Sequence, residues 1–158
     1  MRREPEHHIR VAEPADAGEI LTVQRAAYVS EAQLYGNPGF SALTESLDEV
    51  RAAVESGSVL VATMGARIVG AVRGIRDGQD CEVARLVVAP DMQRRGIAFD
   101  LIAAVERAHA AHVRRFRMHT GERSEANLRL YQRAGYVPYR THAVSPTLSL
   151  VYLEKPTA

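Results

Sequence analysis

Leu86-Val87-Val88-Ala89-Pro90-Asp91-Met92-Gln93-Arg94-Arg95-Gly96-Ile97-Ala98 is the stretch on which the fold turns. Its first residues close a β-branched run, Pro90 ends that run, and from Ile97 onward apolar residues recur at helical spacing. The start of a helix exposes backbone N–H groups and a partial positive charge, so a basic, glycine-bearing turn leading into one is an anion site. Gly96 permits close backbone approach, while Arg94 and Arg95 supply charge. The expected ligand is a pyrophosphate; the alternative is a solvated basic turn that only starts the helix. Neither Gly-x-x-x-x-Gly-Lys-Ser/Thr nor Gly-x-Gly-x-x-Gly occurs, so P-loop and dinucleotide folds lack their fingerprints.

Outward from this stretch the chain alternates strands and helices. Upstream, Ile9 to Ala12 reads as a strand, Ala17 to Val29 as a helix behind Pro14 and Asp16, and Ser46 to Ser56 as a second helix closed by Gly57. Ser30 to Thr44, with Gly36, Asn37, Pro38 and Gly39 and exposed-looking Tyr35 and Phe40, is expected to be a long surface loop. Val59 to Thr63, Arg67 to Gly74 and Cys81 to Val88 form a three-strand meander through turns at Gly65 and Gly78. Downstream, Ile97, Leu101, Ile102, Val105 and Ala108 make one stripe of a helix reaching about Ala111, and Arg114 and Arg115 suit its solvated end. Phe116 to Thr120 is a strand, Ser124 to Ala134 a helix stopped by Gly135, and Tyr136 to Val144 and Leu148 to Leu153 a final strand pair. The order is β, α, α, β, β, β, α, β, α, β, β.

The 158 residues, 46% hydrophobic and 25% charged, suit one globular domain over 1–158, with 1–8 expected to be flexible. A net charge of +1 gives no uniform field for nucleic acid or an anionic membrane, so neither is an expected partner. Cys81 is alone, which rules out an intramolecular disulfide and a multi-cysteine metal site. Met1 to His8 is charged and lacks the apolar core of a secretory signal, and no apolar run is long enough to span a bilayer. A cytoplasmic location is expected. His109 and His112 share a helix face without a third ligand in pattern, so no metal is expected.

Gln93 through Ala98, preceded by Leu86 to Pro90, resembles the signature Gln/Arg-x-x-Gly-x-Gly/Ala of the Gcn5-related N-acetyltransferase (GNAT) superfamily. Asn127-Leu128-Arg129-Leu130-Tyr131-Gln132-Arg133-Ala134-Gly135-Tyr136 is similar to the family's later helix and its terminating Gly-aromatic pair. With the element order, the resemblance spans nearly the whole chain. It implies an α/β (α+β) fold with a mixed, mostly antiparallel central sheet, one splayed parallel strand pair and flanking helices. It also implies acetyl-CoA as cosubstrate, no metal, and a small-molecule or peptide amine as acceptor, and leaves a homodimer open. In such a fold the main chain of Leu86, Val87 and Val88 binds the pantetheine arm beside the strand Phe116 to Thr120, and Arg94, Arg95, Gly96, Ile97, Ala98 and Phe99 hold the phosphates. Ala98 stands where a second glycine is commoner. Phe99 replaces a small or polar residue, either shifting the phosphate end or packing beneath it. Ser124 replaces a helix-start asparagine.

Acetylating an amine requires a neutral nucleophile, a stabilised oxyanion and a proton for the departing thiolate. By resemblance Tyr131 sits near the coenzyme sulfur as general acid; its alternative is a core tyrosine. Glu82, six residues before Val88 and by alternation on the face of Ala84, Leu86 and Val88, matches the strand glutamate that histone-type relatives use as base; its alternative is an exposed strand glutamate. His119, on the facing strand, is the rival base; its alternative is a histidine satisfied by backbone hydrogen bonds. Asn127, one turn before Tyr131, either orients the coenzyme arm or caps the helix. Tyr28, Tyr35 and Phe40 either frame an acceptor pocket or pack the loop, and the turn Arg140 to Thr147 would complete it. The expected activity is direct acetyl transfer to a primary amine in a ternary complex. A non-catalytic acyl-CoA sensor on the same fold is the alternative.

Overall fold

The computed structural model describes residues 6–158. Of the segment 1–8 expected to be flexible, residues 1–5 lie outside the described residues, and His8 already opens the first strand. The strands are β1 (His8–Val11), β2 (Val59–Met64), β3 (Arg67–Asp77), β4 (Asp80–Val88), β5 (Arg115–Gly121), β6 (Val137–Ser145) and β7 (Leu148–Pro156). The helices are α1 (Ala17–Tyr35), α2 (Ser41–Thr44), α3 (Leu47–Glu55), α4 (Ile97–His109) and α5 (Glu125–Arg133). The strands form one sheet in the order β1-β2-β3-β4-β5-β7-β6, antiparallel everywhere except between β4 and β5. This is the mixed sheet with one parallel pair that the motifs imply.

Local chemistry sets the helix ends. Ser46 Oγ accepts from the Glu49 N–H at 3.1 Å while Glu49 accepts from the Ser46 N–H at 3.3 Å, a reciprocal cap that starts α3. Gly36 and Gly135 take the left-handed φ that ends α1 and α5. Alternation along the strands feeds two cores, one per sheet face. On one face Val72, Val83 and Phe116 pack with Leu101, Ile102 and Val105 of α4 and Tyr131 of α5. On the other, Val61, Ile68, Ala71 and Val87 pack with Ile20 and Leu21 of α1 and Val50 and Val54 of α3.

Four expectations are corrected. The stretch from Ser30 to Tyr35 is helical, because α1 runs six residues past Val29, and Ser41 to Thr44 is a short helix; only residues 36–40 between them are loop. Tyr35 is buried rather than exposed. In α4 the stripe closes on buried Ala104, and Ala108 faces solvent. Arg115 does not end a helix; it opens β5, where it donates to Asp80 at 2.8 Å and to Glu154.

Paired carboxylates give the fold a dependence on acid. Asp16, Asp80 and Asp91 are each held below the ordinary aspartate range by hydrogen bonds from Arg10, Arg115 and Arg67. Burial opposes ionisation of Glu45, yet donors on Arg73 and Gln24 outweigh it and its pKa also falls. A carboxylate with a lower pKa in the folded chain stabilises above its unfolded value, and that stability is lost as pH falls through the folded value. The thermal midpoint is expected to be level from about pH 7 to about pH 5 and to drop below about pH 4. A midpoint unchanged down to about pH 3 in a melting series would contradict this.

Candidate active site

The parallel pairing between β4 and β5 covers only Asp80 with Arg115, Cys81 with Phe116 and Glu82 with Arg117. Beyond that point the strands part. On its other side β4 departs from regular register, since Ala71 pairs with Val87 but Arg73 with Ala84, leaving an extra residue on β4. Arg85 sits in this bulge with φ 50°. The gap opens a cleft of about 760 Å³ that passes through the sheet from the α4–α5 face to the α1–α2 face.

On the α4 side the cleft is lined by Leu86, Val88, Arg94, Gly96, Ile97, Ala98, Phe99, Asn127 and Tyr131, and Val87 meets it from the α1 face. Gly96 takes φ 81° and Arg94 φ 65°, so the chain coils tightly before α4, and no side chain caps that helix start. Gln93 Nε2 donates to the Val88 carbonyl at 3.5 Å, tying the turn to the end of β4. Arg95 is exposed and outside the lining, so of the two arginines only Arg94 meets the cleft. Phe99 is 45% exposed at the rim of the cleft. Tyr131 is buried, and burial, with Tyr28 and Glu31 nearby, pushes its phenol pKa well above the ordinary tyrosine value.

The bulge overturns the expected placement of Glu82. An extra residue at Arg85 reverses the alternation, so Val88 joins Cys81 and Val83 on the α4 face while Glu82 stands with Ala84 and Val87 on the α1 face. Glu82 is not among the residues lining the cleft, whereas His119 is. The two candidate bases nevertheless meet: His119 Nδ1 lies 3.6 Å from Glu82 Oε1, and the imidazole leans on Tyr152 at 5.6 Å between ring centroids. They form one pair with His119 toward the cleft.

On the α1 side, Tyr28, Glu31 and Tyr35, which share one helix face, line the cleft with Phe40 and Ser41. Tyr35 Oη accepts from the Arg123 N–H at 3.0 Å and donates to Ser124 Oγ at 2.9 Å; Ser124 Oγ in turn donates to Glu31 Oε2 at 2.6 Å. Asn127 does not cap α5. Its Nδ2 donates to Glu31 Oε1 at 3.4 Å and to Thr120 Oγ1 at 3.3 Å. The expected turn Arg140 to Thr147 is mostly strand β6, and the cleft is completed there by Leu148 and Leu150 of β7. Glu31, Arg85, Arg129 and Arg133 line the cleft without having been singled out from the sequence. For Glu31 the available signal was its helical spacing with Tyr28 and Tyr35, and for Arg129 and Arg133 their spacing of one turn. Arg85 carried none.

A family model described as acetyltransferase (GNAT) domain matches residues 55–138, more than half of the chain. The chain belongs to the GNAT acetyltransferase family. Among solved structures, this GNAT chain is similar to the acetyltransferase of Streptococcus pneumoniae (18% identity, TM-score 0.79, covering 97% of this chain and 100% of that one). It is similar also to yncA of Salmonella typhimurium, solved with its cofactor acetyl-CoA (17% identity, TM-score 0.77, covering 97% and 95%). At these identities the likeness concerns the fold. The UPF0157 protein YqkA of Bacillus subtilis (strain 168) is 29% identical over 120 residues, 76% of this chain and 34% of that protein. The match thus spans about a third of that relative's length. Among the described residues no helix is long and apolar enough to cross a membrane, and no three His, Cys, Asp or Glu side chains converge to hold a metal.

Proposed function

We propose that this chain is an acetyl-CoA-dependent N-acetyltransferase that passes the acetyl group directly to a primary amine. The observation carrying this reading is the single cleft that joins the uncapped start of α4, the splay of β4 from β5, and His119. The backbone N–H groups after Gly96 and the Arg94 guanidinium bind the pyrophosphate, and the open edge of Leu86 to Val88 takes the pantetheine arm. The acceptor enters from the α1 side.

His119 takes the amine proton on the nitrogen turned away from Glu82, and Glu82 holds the ring and stabilises its charged form. The amine nitrogen bonds to the thioester carbonyl carbon, the carbon–sulfur bond breaks, and coenzyme A leaves as thiolate. Tyr131, whose raised pKa exceeds that of an ordinary thiol, keeps its proton and donates a hydrogen bond to the leaving sulfur. An acyl-enzyme on Cys81 is disfavoured, since burial pushes that thiol up to about 11 and the side chain belongs to the core on the α4 face.

The deciding experiment is an acetyl-transfer screen over polyamines, amino acids, aminoglycosides and peptide N-termini, read as free coenzyme A thiol. Turnover of at least one class is expected. Coenzyme A binding with no turnover anywhere would overturn the catalytic reading in favour of a sensor. Gly96→Val probes the donor end. A left-handed residue with a branched side chain costs about 1–2 kcal/mol, so the turn re-forms with its N–H groups misdirected. Calorimetry is expected to show coenzyme A binding about tenfold weaker. Unchanged affinity would move the pyrophosphate elsewhere.

A further inference from the structure

Glu45 is buried and faces two guanidinium groups. Arg73 takes both carboxylate oxygens, with Nη2 2.5 Å from Oε1 and Nη1 3.1 Å from Oε2, and Gln24 Nε2 donates to Oε1 at 3.1 Å. Arg85 approaches Oε2 only to 3.6 Å, beyond hydrogen-bond range; both its terminal nitrogens reach Ser41 Oγ at 3.2 Å, and the Tyr28 phenol also lies against it. Its Nε is buried without a partner. Two guanidiniums against one carboxylate leave a unit of positive charge, and of the two arginines it is Arg85 that lines the cleft. The other acid on this wall, Glu31, keeps its negative charge, with its oxygens taken by the neutral donors Ser124 and Asn127.

The backbone gives independent support. Arg85 is held at φ 50° in the bulge of β4, a conformation unusual for a residue with a side chain. Such strain persists where surrounding structure enforces it, and a bulge re-aims the side chain it carries. Here it places a charged group with spare donors on the acceptor side, near Tyr28 and Phe40.

We propose that Arg85 reads the acceptor, and that the acceptor is a small amine that also carries a carboxylate, an amino acid in the broad sense. The carboxylate completes the donors on Arg85 while the amine is presented to His119. The inference rests on the acetyl-transfer reading above.

The test compares α- and ω-amino acids with their own amides as acceptors, for the wild type, Arg85→Gln and Arg85→Lys. Amides are intrinsically the more reactive amines at neutral pH, and that bias is common to all three proteins. The ratio of kcat/KM for acid over amide therefore isolates the arginine. It is expected to favour the acid in the wild type, to fall about tenfold or more in Arg85→Gln, chiefly through KM of the acid, and to be partly kept in Arg85→Lys. Coenzyme A binding and thermal melting check that each variant is folded. A wild type that acetylates only amines without a carboxylate, or a ratio unmoved by Arg85→Gln, overturns the inference and leaves acetyl transfer standing. Absence of transfer to any acceptor overturns the enzyme reading and this inference with it.

Discussion

Replacing His119 by alanine is expected to lower kcat/KM for acetyl transfer by about 10²- to 10⁴-fold, the usual weight of a general base. The amine must lose a proton as it attacks, and His119 is the imidazole that lines the cleft between β4 and β5. Glu82 lies outside that lining and reaches the reaction only through the ring, 3.6 Å from Nδ1. Glu82→Gln should therefore cost less than His119→Ala, on the order of tenfold, as expected of a positioning residue. Coenzyme A affinity by calorimetry should be unaltered in both. A loss under about threefold for His119→Ala would remove it from the proposed chemistry, and a larger loss for Glu82→Gln would make the glutamate the base.

Much of this was legible because local chemistry and tertiary structure agree. The run Leu86 to Ala98 reads as strand, turn and helix from Pro90, Gly96 and the apolar stripe alone, and it folds so. The failures share a cause. Nothing in the types Ala84-Arg85-Leu86 announces an inserted residue, so strict alternation puts Glu82 on the wrong face; the bulge is visible only in its pairing with β3. Likewise Gly36, Asn37, Pro38 and Gly39 suggest a loop back to Ser30, whereas Glu31 and Tyr35 are held in helix by contacts with Ser124 and Arg123, far away in sequence. Sequence also offered Glu82 and His119 as rivals, because the distance between two strands paired for three residues is not written in either strand.

That same contact between α1 and the α5 start carries the largest stability effect expected of a single methyl group. Gly121 ends β5, and a Cβ built on it overlaps the Tyr35 hydroxyl and Cζ and stands 2.9 Å from Cε2. Gly121 is not among the residues with positive φ, so alanine there is opposed by packing and not by backbone preference. Tyr35 cannot simply swing away: its ring is buried, meets Phe40 edge-on at 5.9 Å and lies under the Arg123 guanidinium at 4.8 Å. Displacing it combines overpacking of about 1–3 kcal/mol with loss of the hydrogen bonds to Arg123 and Ser124 at about 1 kcal/mol each. Gly121→Ala is thus expected to destabilise by about 3–5 kcal/mol in urea titration and to lower the melting midpoint by roughly 6–20 °C. Tyr35→Leu removes the obstructing ring end, so the double variant should lose less than the sum of the two single changes. Strict additivity would mean that the two residues do not oppose each other. Because Tyr35 shares its helix face with Tyr28 and Glu31, Gly121→Ala should also raise KM for the acceptor while coenzyme A binding, at the far end of the cleft, is spared.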